Sequence, residues 1–121
     1  MTKRAILIAL VFAVTILAQT HSVTLTWAAN SAGAPVTTYN VLRGTASGAE
    51  SSTPIGLVLA SACAASCSYV DSVGLVEGQT YFYEITATGS AGTSGPSPEV
   101  TAFVPLSVPP NPPAKPTVEV K

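Results

Sequence analysis

The sequence predicts an all-β sandwich of about seven strands in two antiparallel sheets, and three observations carry that expectation. Apolar side chains recur with a period of two from Ser22 onward, turn residues return about every ten positions, and no later stretch repeats with the helical period. Short strands punctuated in this way each bury one face, so two sheets must close over a shared core. The 121 residues suffice for one such core and not for two.

The first strand is read from Val23, Leu25 and Trp27, which alternate with Thr24 and Thr26 and so put three apolar side chains on one face. Asn30, Ser31, Gly33 and Pro35 then make a turn, and residues 36–42 form a second β-prone run that ends at Arg43 and Gly44. A Gly/Ser-rich loop over residues 44–53 leads to a third short strand around Ile55 to Leu59, and Tyr69 and Val70 start a fourth. The strongest strand covers residues 80–88, where Tyr81, Tyr83, Ile85 and Ala87 alternate with Phe82, Glu84 and Thr86. A last one, residues 99–104, follows the turn from Gly92 to Pro98. Phase assigns Trp27, Tyr39 and Tyr81 to the core; Phe82 falls on the face opposite Tyr81, under a neighbouring strand edge or in a modest exposed apolar patch.

These residues, in this order, resemble a fibronectin type III domain of the kind found in bacterial extracellular proteins. Trp27 closes the family's second strand, Val36, Tyr39 and Val41 match its third, and Leu75-Val76-Glu77-Gly78-Gln79-Thr80-Tyr81 resembles its leucine-to-tyrosine turn. In that turn the tyrosine hydroxyl ties back to the backbone. Tyr81, Ile85 and Ala87 keep the family's spacing, and the segment from Gly89 to Ser97 is similar to its last hairpin. The resemblance covers Val23 to Val104 and implies an immunoglobulin-like sandwich. Its expected core is Val23, Leu25, Trp27, Val36, Tyr39, Val41, Leu75, Tyr81, Ile85 and Ala87.

Three regions divide the chain. Lys3 and Arg4 precede an apolar run from Ala5 to Leu17, too short for the roughly 20 residues of a spanning helix, and polar Gln19 to Ser22 follow at once. Residues 1–18 therefore read as a secretory signal cleaved after Ala18; Ile16 stands where a small residue is preferred, which leaves an uncleaved membrane anchor as the alternative. Residues 19–104 are the sandwich domain and residues 105–121 a proline-rich tail. Loss of the leader leaves three basic against six acidic residues, a net charge of −3. Export to the cell surface or medium is the expected localisation.

Cys63 and Cys67 are placed in a loop just before the Tyr69 strand, and in an exported protein they are expected to form a disulfide. A redox pair would want a spacing shorter by one residue and a helix N-terminus to activate a thiol, and a metal site would want further ligands. No cofactor or metal is expected: one histidine, two cysteines and six acids make a poor ligand supply. The low charge, 9% of residues, also removes the basic footprint that nucleic acid requires.

Catalytic groupings are scarce as well. His21 reads as solvated chain near the new terminus, so no Ser-His-Asp relay forms around it. Pairing Glu77 with Glu84, or Asp71 with Glu77, would need a cleft between the carboxyls, and all three read as solvated surface. A non-enzymatic role is the expectation. The resemblance implies a spacer, adhesion or interaction module whose partner is a polysaccharide or another surface protein.

Six of the ten prolines lie between Pro105 and Pro116, a semi-rigid extended spacer. Thr117-Val118-Glu119-Val120-Lys121 then resembles the family's first strand, while residues 19–22 leave little room for a first strand ahead of Val23. One reading makes the tail a plain linker. The other makes it the missing edge, supplied to its own domain or to the next molecule in a self-assembling structural subunit.

Overall fold

Period-two alternation becomes seven strands: β1 (Val23–Ala28), β2 (Thr38–Gly44), β3 (Gly56–Leu59), β4 (Ser66–Asp71), β5 (Thr80–Gly89), β6 (Gly92–Thr93) and β7 (Val100–Phe103). The computed structural model describes residues 20–121, and the expected leader and its cleavage site lie outside the described residues. Helix is limited to one 3-10 turn, Ala60–Ala62, and no described helix is long and apolar enough to cross a membrane. The chain is an all-β sandwich of two antiparallel sheets. β1 and β4 form the small sheet; the large one runs β3-β2-β5, with β6 and β7 both on the far edge of β5.

That far edge shows how proline is accommodated. β7 pairs with residues 80–83 and β6 with residues 88 and 89, and between them Pro96 and Pro98 have no N–H to give a ladder. Two serines bridge the gap. Ser94 and Ser97 donate backbone N–H groups to the carbonyls of Ala87 and Ile85, each at 2.8 Å. Their hydroxyls accept the N–H groups of the same two residues, each at 2.9 Å. The edge of β5 thus stays satisfied where its partner leaves the ladder.

Leu25, Val41, Tyr81, Tyr83 and Val104 form the buried core, and Val23, Trp27, Ile55, Tyr69, Leu75, Ile85 and Ala102 pack against it. Tyr39 is buried beside them, edge-to-face with Trp27 at 5.7 Å between ring centroids. Its hydroxyl accepts the Asn30 N–H at 2.8 Å, which ties the β1–β2 turn to the sheet. Val36 and Ala87 are half-buried at the margin. Phe82 is half-buried on the outer face, opposite Thr101 of β7 and Gly44 of β2. Tyr81 anchors the β4–β5 turn: its hydroxyl accepts from Val76 N–H at 2.9 Å and donates to the Gly74 carbonyl at 3.2 Å.

Three expectations change. β4 begins at Ser66, three residues before Tyr69, so Cys67 is a strand residue facing Trp27 in register rather than a loop residue, and it is only 1% exposed. Residues 117–121 form no strand and leave their own domain's edge uncovered. Asp71 and His21 are not simply solvated, as the next section describes.

Candidate functional site

Cys67, Tyr69 and Asp71 alternate along β4, and that phase carries Asp71 inward, where it is 2% exposed. A buried carboxylate needs partners, and it has them. Arg43 Nη1 lies 2.8 Å from Asp71 Oδ2, the Tyr83 hydroxyl donates to the same oxygen at 2.7 Å, and Val73 N–H reaches Oδ1 at 3.3 Å. Arg43 also caps the Val73 carbonyl at 2.8 Å and lies 5.1 Å above the Tyr81 ring. Burial first, then the bond to Asp71, pushes the Tyr83 phenol well above its ordinary value. Arg43 is raised above its ordinary value, the Asp71 hydrogen bond and charge outweighing the opposing effect of burial. The group clamps β2, β4 and β5 together, and its charges are fully occupied in doing so.

At one end of the sandwich, Glu77 collects the chain's single histidine and the base of the tail. His21 Nε2 stands 3.2 Å from Glu77 Oε1, the Ser107 hydroxyl donates to that same oxygen at 2.5 Å, and Ser107 N–H reaches Oε2 at 3.1 Å. Serine, histidine and acid are neighbours, but the carboxylate stands between the other two and accepts the hydroxyl's hydrogen bond. A nucleophilic relay needs the imidazole in that position. The Ser107 hydroxyl, then its N–H, then His21 hold the Glu77 carboxyl at about 2, below the ordinary 4.5. Its folded-state pKa is depressed, so the contact is complete above pH 4.5 and is lost as pH falls through about 2. The Ser107 amide resonance is expected to shift in an NMR titration with a midpoint near 2.

Glu50, Glu84 and Glu99 converge on the outer face of the large sheet, with carboxylate oxygens within 4.8 Å of one another. Composition concealed this, because the three are far apart in sequence. Ser47 hydroxyl and Gly48 N–H donate to Glu99 at 2.7 and 2.8 Å. The interaction between Glu50 and Glu99 holds Glu50 above and Glu99 below the ordinary carboxylate value. Oxygen donors of this type suit hard cations, and among the described residues these three are the ones close enough to hold an ion.

Cys63 and Cys67 are joined in a disulfide, with Cα atoms 4.8 Å apart, which pins the 3-10 turn to β4. Closing so short a loop contributes about 2 kcal/mol in the chain-entropy account. Reduction is expected to lower the melting temperature by about 10 °C without unfolding the domain at room temperature, measured by calorimetry with and without reductant.

Two surfaces remain. On the outer face of the large sheet the register aligns Leu59, Thr38, Thr88 and Thr93 in one row and Leu57, Asn40 and Thr86 in the next. Asn40 Nδ2 donates to Thr86 and Thr88 hydroxyls at 3.0 and 2.9 Å, and Leu57 and Leu59 stand exposed beside them. This half of the face is hydroxyl-rich and uncharged. The second surface is a groove of about 260 Å³ on the open side between the sheets, lined by Leu25, Trp27, Ile85, Pro98 and Val100 among others. Comparison with protein-family models, with curated proteins and with solved structures returns no match for this chain.

Proposed function

We propose that this chain is an exported, non-enzymatic module of the fibronectin type III kind, which acts as a spacer, adhesion or interaction unit at the cell surface. The hydroxyl and leucine face of the large sheet is the observation that carries the reading. A face of this composition suits a neutral partner rich in hydroxyls, because Asn and Thr groups already ordered in a cross-strand network present donors and acceptors with little further loss of freedom. A polysaccharide is the partner class; a surface protein is the other partner the resemblance implies. The Tyr81 hydroxyl bonds across the β4–β5 turn support the fibronectin type III assignment. The Cys63–Cys67 disulfide supports an oxidising compartment.

Retention of the full chain on a panel of insoluble polysaccharides tests the reading. Binding to one of them is expected, weakened at least tenfold by Leu57→Asp and by Asn40→Ala while the melting temperature of the exposed-site variant Leu57→Asp stays unchanged. Equal retention of wild type and both variants, or no retention on any polysaccharide, would sink it.

A further inference from the structure

We propose that the open edge of β1 is an acceptor for a strand, and that its occupant is residues 117–121 of a second copy of this chain. Ala29 N–H donates to Ala65 across the β1–β4 pair, so by ladder alternation Val23, Leu25 and Trp27 direct their backbone groups to β4. Thr24, Thr26 and Ala28 direct theirs outward, and no described residue pairs with them. Beside that edge lies the apolar groove onto Leu25 and Trp27, and the Trp27 indole N–H, buried, has no hydrogen-bond partner among the described residues. An uncovered edge next to an accessible core is a template for strand addition.

The donor has the complementary pattern. Val118 and Val120 alternate with Thr117, Glu119 and Lys121 and are 85% and 87% exposed, so two valines on one face of an extended segment lack a core. Geometry then separates self from neighbour. The Ser107 bonds to Glu77, which also holds His21, fix the base of the tail beside the start of β1. From there ten residues of extended spacer carry Thr117 about 31 Å away, whereas β1 spans about 20 Å. A tail running back along its own β1 would lay Pro109, Pro110, Pro112 and Pro113 against the edge, and proline has no N–H for a ladder. The strand-forming segment passes the end of its own β1 and meets that of another molecule. Such a contact is head-to-tail, so it builds open chains or rings.

The test is sedimentation of the full chain over a concentration series, beside two variants. Thr26→Pro removes an outward N–H from the acceptor edge without touching the β1–β4 ladder, and Val118→Asp with Val120→Asp spoils the donor in a segment that packs on nothing. Wild type is expected to grow in mass with concentration, each variant to stay monomeric at an unchanged melting temperature, and an equimolar mixture of the two to give a dimer that grows no further. A peptide of residues 114–121 is expected to shift the emission of Trp27, the only tryptophan, in the donor-dead variant, which serves even if Thr26→Pro fails to fold. A wild-type chain that stays monomeric, or a donor-dead variant that assembles like wild type, overturns the proposal. A peptide that leaves Trp27 emission unchanged overturns it too, because the edge is then covered by residues outside those described.

Discussion

Asp71→Ala is expected to cost about 3–5 kcal/mol, among the largest effects of any single substitution in this domain. The side chain is 2% exposed, and its removal leaves the Tyr83 hydroxyl buried without its acceptor and Arg43 facing the core without a counter-charge. A domain of this size has about 5–15 kcal/mol in hand, so a melting temperature lower by at least 15 °C is the expected reading in calorimetry or circular dichroism. Tyr83→Phe removes one bond to the same oxygen and is expected to cost only about 1–1.5 kcal/mol. The double variant should cost less than the sum, because once Asp71 is gone the hydroxyl has nothing to donate to. Additive losses would show that the two side chains act independently.

Tyr39→Ala is expected to cost about 3–5 kcal/mol, by the loss of a buried aromatic body and of the acceptor for Asn30 N–H. The effect has an optical signature, since the Tyr39 ring packs edge-to-face on the only tryptophan. Emission from Trp27 should move to longer wavelength in the folded variant as water enters the space. Urea unfolding followed by that emission gives both quantities in one experiment. A loss under 1 kcal/mol would mean that the β1–β2 turn and Trp27 do not depend on this ring.

The strands were legible where alternation was strong. Val23 to Trp27 and Tyr81 to Ala87 announce their faces because apolar and polar side chains interchange there, with Phe82 the one exception. Asp71 was read as surface because acids usually are, yet the phase set by Cys67 and Tyr69 already points it inward; the missing element was its partner Arg43, 28 residues away. The start of β4 is hidden by the small residues Ala64 to Ser66; Ser66 and Cys67 are strand because they pair with Ala28 and Trp27 of β1, with the disulfide beside them, rather than by local preference. His21 was read as loose chain for a similar reason, since its place depends on Glu77, 56 residues on. The hydroxyl rows are products of register, which brings Asn40 to Thr86, and the acidic trio forms where two non-strand residues, Glu50 and Glu99, meet Glu84 of β5; no local pattern encodes pairings between segments so far apart. The alternation from Thr117 to Lys121 predicts a strand, yet these residues form none and are paired in a sheet with no other described residue.

Export of this sandwich is a proposal, and the intact mass of the protein recovered from outside the expressing cells is its most direct test. The expected result is a chain that begins at Gln19 and is two hydrogens lighter than its reduced form, the mark of the Cys63–Cys67 bond. A protein found only inside the cell, with both thiols reduced, would show that the domain is not exported.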